Sequence, residues 1–158
     1  VNTHHAYVKK TLPEIKGYAT KVARVHGARH PELLPVLQLV EEIDVEMTGH
    51  MMKEEQILFP FIKKLAATRI DSGAVSKPGF GTVQNPISVM EQEHELVGKN
   101  LEEIRLLTNQ YKLPEDACAS YSLLYRLLEE FEDDLHTHVH LENNILFPKA
   151  LALEKTMA

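Results

Sequence analysis

Two strings of this sequence set a histidine and a glutamate at a fixed separation: HMMKEEQILFP from His50 to Pro60, and HVHLENNILFP from His138 to Pro148. Both read H-x3-E-x2-I-L-F-P. Residues four apart share one face of an α-helix, so His50 projects with Glu54, and His138 with Glu142. A second repeat extends the first. HAYVKKTLPEI from His5 aligns with HELVGKNLEEI from His94, with histidine, valine, lysine, leucine, glutamate and isoleucine in step. His5 is therefore the counterpart of His94, while His4 stands outside the repeat and is expected to be exposed.

Four imidazoles and two carboxylates in this pattern suit a site for two metal ions. Imidazoles supply terminal nitrogens, and each carboxylate can bridge two ions with its two oxygens. The absence of thiolates among these residues favours iron, manganese or zinc over copper(I) or an iron–sulfur cluster. Such a donor set leaves positions for a bridging oxygen and an exogenous small molecule. The competing account is a buried network of histidine–glutamate hydrogen bonds without metal.

The elements that must position these residues are helices. Apolar residues recur three and four apart in four stretches. The first is His5, Val8, Leu12, Ile15, Ala19, Val22 and His26, and the second is Val36, Val40, Ile43, Met47, His50, Glu54 and Ile57. The third is Met90, His94, Val97, Leu101, Ile104 and Tyr111, and the fourth is Leu128, Phe131, Leu135, His138 and Glu142. Gly27 closes the first, while Pro31 and Pro35 open the second. Residues 68–86, rich in Gly, Pro and Ser, read as one long connection, and Leu113-Pro114-Glu115-Asp116 as a short turn. Pro13 predicts either a kink in the first helix or its true start. The fold expected is all-α, an up-down antiparallel four-helix bundle built from two repeated hairpins.

At about 1.5 Å per residue, His5 and His50 fall at the same level, as do His94 and His138. All six side chains are then expected to converge near one end of the bundle. Both H-x3-E pairs lie on core stripes, where unpaired polar groups are costly. His26 also lies on a core stripe, yet a continuous helix puts it about 31 Å from His5. It has no counterpart in the second half and reads as a histidine at a helix C-terminus, a ligand only if the helix breaks at Pro13. His136 and His140 point away from His138 and read as solvated, and His30 precedes Pro31 in a loop. Glu46, one turn before His50, and Glu93, directly before His94, could line an access path, hydrogen-bond a ligand histidine or relay protons. Either could equally be a solvated carboxylate. Met47, Met51, Met52 and Met90 read as core or channel wall.

Composition bounds the rest. A chain of 158 residues suits one domain with a single core. A formal charge of −6 argues against a nucleic-acid surface. No apolar run approaches a membrane span and none resembles a signal peptide, and the lone Cys118 excludes an internal disulfide. A cytoplasmic location is the expectation. The first residue is Val1, with no initiator methionine, and the expectation is a fragment lacking its N-terminal part. Oligomeric state is left open.

These motifs resemble a known family. H…H-x3-E…H…H-x3-E on four helices is similar to the haemerythrin-like (HHE) di-iron fold. More narrowly, KVARVHGARHPEL, HMMKEEQILFP, NPISVMEQEHE and HLENNILFPKAL resemble the YtfE/ScdA group of repair-of-iron-centres proteins. The resemblance covers nearly all of residues 1–158. It implies metal ligands at His5, His50, Glu54, His94, His138 and Glu142. Glu54 and Glu142 would bridge two irons that share a µ-oxo group. A histidine at the place of His26 belongs to the family pattern, which keeps that residue as a structural or second-sphere candidate. The family's small cysteine-containing N-terminal domain is not among these residues.

The function the resemblance implies is repair of iron–sulfur clusters damaged by nitric oxide or oxidants, by supplying iron, with damaged iron–sulfur proteins as partners. The alternatives are binding or sensing of nitric oxide or oxygen, and reduction of nitric oxide as a side activity. No dedicated electron-transfer partner is legible. A carboxylate-rich donor set favours oxidation and loss of iron over reversible oxygen storage.

Overall fold

In this computed structural model, residues 2–71 and 84–157 are described. Helix α1 (Asn2–His26) is followed by α2 (Leu33–Lys53), a π-turn π1 (Glu54–Leu58) and α3 (Phe59–Asp71). The second half repeats this order with α4 (Gln84–Leu107), α5 (Ala119–Leu141), π2 (Glu142–Leu146) and α6 (Phe147–Met157). No strand occurs among the described residues. α2, π1 and α3 form one continuous rod, as do α5, π2 and α6. The result is the expected four-rod bundle, with α1 packed on α2 and α5, α2 on α4, and α3 on α6. Among the described residues no helix is long and apolar enough to cross a membrane.

The sequence stripes become the core. Val8, Leu12, Ile15, Ala19 and Val22 of α1 are buried against Val36, Val40, Ile43 and Met47 of α2 and Leu128, Phe131 and Leu135 of α5. α1 runs from Asn2 to His26 through Pro13, so the helix does not start there. Packing on two neighbouring helices compensates the backbone bond that proline removes. At Gly27, where α1 has ended, an added Cβ would come within 2.2 Å of the Ala23 carbonyl oxygen. Helical structure also reaches further into the expected 68–86 connection than its composition suggests, to Asp71 and from Gln84; residues 72–83 lie outside the described set.

Tyr111 is buried but not on a helix. α4 ends at Leu107, and Asn109, Gln110 and Tyr111 adopt positive φ values of 53°, 60° and 60°. This left-handed turn swings Tyr111 inward, where its hydroxyl donates to Glu132 Oε2 at 2.8 Å. Arg105 Nε donates to the other oxygen of that buried carboxylate at 2.9 Å, which ties α4 to α5. Glu132 holds the Tyr111 hydroxyl well above its usual range, after burial itself.

Two departures bear on the site. The core is not single. A smaller apolar cluster of Leu58, Phe61, Ile87, Met90, Phe147 and Ala150 lies apart from the main one. α3 and α6 continue past the H-x3-E strings, so those strings sit between two cores rather than at an open end. Second, Ile57 is 49% exposed and Ile145 41%, although Ile57 was expected on the core stripe. The π-turns explain this. The Phe59 amide bonds to the Glu54 carbonyl and the Phe147 amide to that of Glu142, each five residues back. The wider turn rotates the following stripe by one residue, so Leu58 is buried in place of Ile57. Pro60 and Pro148 follow directly; each lacks an amide and crowds the carbonyl four residues earlier, which disfavours closing that turn as an α-helix.

Deleting the exposed Gln56 should let π1 close as an ordinary α-helical turn. We expect unchanged helical circular dichroism and an equal or higher thermal midpoint. The deletion rotates Glu54 against the motif that follows it, so bound metal should fall below half of the parent's. Parental metal content in the deletion variant would show that the π-turn has no role in metal retention.

Candidate metal centre

The repeat is built into the geometry. Phe59, five residues after Glu54, stacks on the His5 ring at 5.9 Å between centroids; Phe147, five after Glu142, stacks on His94 at 6.1 Å. The aromatic residue of each I-L-F-P string thus covers the first histidine of its own hairpin. His5, His50, His94 and His138 are buried, and Glu54 and Glu142 are 0% and 1% exposed.

These six residues meet. His5 Nε2 lies 2.8 Å from Glu54 Oε2, and His50 Nε2 2.7 Å from Glu54 Oε1. Glu142 Oε1 lies 3.0 Å from His94 Nε2, 2.7 Å from His138 Nε2 and 3.9 Å from His50 Nε2. His50, Glu54, His94 and Glu142 offer donor atoms all within 4.8 Å of one another, and so do His5, Glu54 and His138. Glu54 belongs to both groups, one oxygen facing a histidine of each.

The donor set fits cations. Glu54 Oε1, Glu142 Oε2 and His138 Nε2 are buried without a hydrogen-bond partner, although donors and acceptors lie close by. His94 Nε2 and His50 Nε2 face each other at 3.1 Å, a separation that two bare nitrogen lone pairs do not hold. The outer nitrogens are occupied elsewhere. His5 Nδ1 donates to Glu55 Oε1 at 2.9 Å, His50 Nδ1 to Glu93 Oε2 at 3.1 Å, and His94 Nδ1 to Asn143 Oδ1 at 3.1 Å. With Nδ1 carrying the proton, the neutral ring presents its Nε2 lone pair inward, as a ligand must. Two surface lysines hold the carboxylates in turn, Lys9 on Glu55 at 2.9 Å and Lys53 on Glu93 at 2.6 Å.

Charge explains the metal-free balance. Burial disfavours the charged form of His50, but Glu142 and Glu54 outweigh it and push its pKa up to about 10. His5 is raised as well: burial opposes the charge, and Glu54 and Glu55 override it. Burial alone would raise Glu142, yet His138, His50 and His94 hold it far below the usual carboxylate range. Positive charge on His5 and His50 is thus favoured beside the buried carboxylates, as a cation would be.

Several sequence expectations are settled here. Glu93 bonds His50, one of the three roles considered for it. Glu46 is half-buried and accepts from Asn100 Nδ2 at 3.4 Å rather than from a ligand histidine. Burial, with Glu42 and Glu93 nearby, raises its pKa. His26 sits at the far end of α1 against Tyr121, at 5.1 Å between ring centroids, and is in neither cation group. His30 pairs with Asp116 at 2.8 Å on the connection to α5, and His136 and His140 are exposed. Met47, Met51 and Met90 are buried, but Met52 is 50% exposed.

His4 corrects the reading outright. It is 8% exposed, and its ring stacks on His138 at 3.7 Å with 8° between planes. Its Nδ1 meets Asp134 Oδ2 at 2.5 Å. Burial, then the neighbouring His138, lowers its pKa to about 4. The helix turns His4 inward beside His5 because α1 is covered by α2 on one side and α5 on the other. The repeat held the signal, since His4 aligns with Glu93. Glu55 and Asn143 were also missed, and each directly follows a glutamate of the motif.

Two expectations follow. His50, with its pKa raised, contributes stability fully below the unfolded value of about 6.5 and loses it as pH rises through about 10. Glu142, with its pKa depressed, contributes above about 4.5 and loses it as pH falls. Denaturant unfolding of the metal-free protein should therefore show stability falling from pH 6 to pH 10, whereas metal affinity should rise over the same range as protons leave the histidines. A flat stability profile would contradict the charge assignment. In addition, Glu55→Ala should weaken metal binding about tenfold or more by freeing His5, measured by competition with a chelator.

A family model described as the hemerythrin HHE cation binding domain matches residues 1–150. A protein of Haemophilus influenzae described as a probable iron-sulfur cluster repair protein is 41% identical over 151 residues, which cover 96% of this chain and 62% of that protein. The iron-sulfur cluster repair protein YtfE of Escherichia coli O157:H7 is 41% identical over 152 residues, covering 96% and 63%. The chain spans a little under two thirds of the length of these curated relatives. With its cage of buried histidines and glutamates and a family match over residues 1–150, the chain belongs to the hemerythrin HHE cation-binding domain family.

Proposed function

We propose that this chain is a di-iron protein that takes part in repairing iron–sulfur clusters damaged by nitrosative or oxidative stress, by supplying iron. His5, His50, Glu54, His94, His138 and Glu142 would hold two iron ions, with the carboxylates of Glu54 and Glu142 placed to serve both. The observation that supports this most is Glu54, whose two oxygens face histidines of separate helices inside a buried cage with unpartnered polar atoms. The relatives named as repair proteins supply the biological direction. When bound, the irons supply redox chemistry and sites for a small ligand such as nitric oxide or oxygen.

The chain's own residues do the rest. Glu55, Glu93 and Asn143 orient three imidazoles. Phe59 and Phe147 keep water from two of them. Burial raises the Glu46 carboxyl, so it takes a proton more readily than an ordinary carboxylate. A damaged iron–sulfur protein in the cytoplasm is the partner, and iron is the cargo.

Purified protein loaded anaerobically with iron should carry about two ions per chain and absorb in the near ultraviolet. It should restore activity to an enzyme whose cluster has been destroyed by nitric oxide. Glu54→Leu and Glu142→Leu should lose both iron and repair. Repair by a metal-free variant would overturn the proposal. Loaded protein that binds nitric oxide or oxygen reversibly, keeps its iron and repairs nothing would favour a carrier or sensor instead.

A further inference from the structure

The two halves match closely, which makes their mismatches informative. The residue before the first histidine of each hairpin is Glu93 in the second and His4 in the first. Glu93 accepts a hydrogen bond from His50 Nδ1, the histidine of the opposite hairpin's H-x3-E string. The equivalent relation pairs His4 with His138. His4 supplies a ring instead of a carboxylate, lying flat on His138 at 3.7 Å and 8°. Asp134, one turn before His138 on α5, holds His4 Nδ1 at 2.5 Å. His4 Nε2 is buried and has no partner. The ring is therefore fixed in azimuth by Asp134 and serves His138 by its face.

The two histidine pairs differ in the same sense. His50 and His94 are both held at Nδ1, by Glu93 and Asn143. In the other pair His5 is held at Nδ1 by Glu55, while His138, 2.7 Å from Glu142 Oε1, is braced by the face of His4. A ring braced by a hydrogen bond at Nδ1 is fixed in both plane and tautomer, whereas stacking fixes the plane alone. The softer brace lowers retention at the position that His138 serves.

We propose that His4, held by Asp134, is a positioning residue that fixes the plane of His138 and so sets how firmly the position served by His5 and His138 retains its metal, making that position the one that gives up its ion first. This rests on the di-iron reading above.

The test is release of metal from the fully loaded protein into excess chelator, followed by stopped-flow absorbance with Fe(II) and again with Co(II). The parent should release its two ions in two phases. His4→Ala should speed the faster phase about tenfold or more and leave the slower within about twofold. His4→Phe keeps a stacking face without the Asp134 bond and should restore most of the retention. Asp134→Asn keeps an acceptor and should lie between. Glu93→Gln should act on the slower phase instead. A structural role in folding alone would change both phases together or neither, and either result overturns the proposal. If His4→Ala does not fold, the phases of Asp134→Asn and His4→Phe decide in the same way. A parent that takes up no metal would overturn the di-iron reading, and the role of His4 with it. A parent that takes up two ions and releases them in one phase would overturn only the role of His4.

Discussion

Carboxylates and imidazolium groups taken out of water lose several kcal/mol of hydration each, and the loss is recovered only where partners are close and well oriented. Glu54 and Glu142 are almost wholly buried, with apolar clusters on both sides. Much else in the bundle answers to that constraint. Four histidines are brought to the two glutamates from four helices, so each rod must arrive at one level. Three of the rings are held from outside by Glu55, Glu93 and Asn143, and lysines at the surface hold two of those acceptors. The main core fixes the helices that deliver the ligands. The smaller core beneath, with Phe59 and Phe147 at its upper edge, closes the site from the other end.

The π-turns belong to the same constraint. Each begins at the glutamate of an H-x3-E string and ends before the Phe-Pro pair. An α-helical turn there would carry Glu54 and the residues after it round by a different angle. Either the carboxylate would miss the second histidine, or Phe59 would leave the His5 ring. A wider turn permits both at the expense of poorer backbone bonding, which is why such turns collect at sites with a chemical task. The proline after each turn fits this account, because it withholds the amide that would tighten the helix again.

Against this symmetry the differences stand out. Asn143 occupies the place of Glu55, and His4 the place of Glu93. The two histidines of the first half, His5 and His50, are therefore held by acids, Glu55 and Glu93, and those of the second half, His94 and His138, by an amide and an imidazole face. His138 alone among the four histidines is braced by the face of a second imidazole, and the near-symmetry of the two halves ends there.

Much of this was legible in the residues themselves. A doubled H-x3-E string at helical spacing, with a matching histidine ahead of each, fixes which side chains can share a face. The rise per residue then fixes their level. These are local rules, and they led to a four-helix bundle with six polar side chains in its interior. What remained hidden depended on distances between helices. Pro13 could have broken α1, yet the helix continues through it, packed on α2 and α5. Ile57 looked like core because periodicity assumes a uniform pitch, which the π-turn breaks. His4 looked exposed because the stripe on α1 was drawn through His5, and a stripe is narrower than the face that two neighbouring helices actually cover. Its partners, Asp134 and His138, lie on α5, far away in the chain. Helical spacing says which groups gather; what surrounds each one depends on contacts between segments that no local pattern relates.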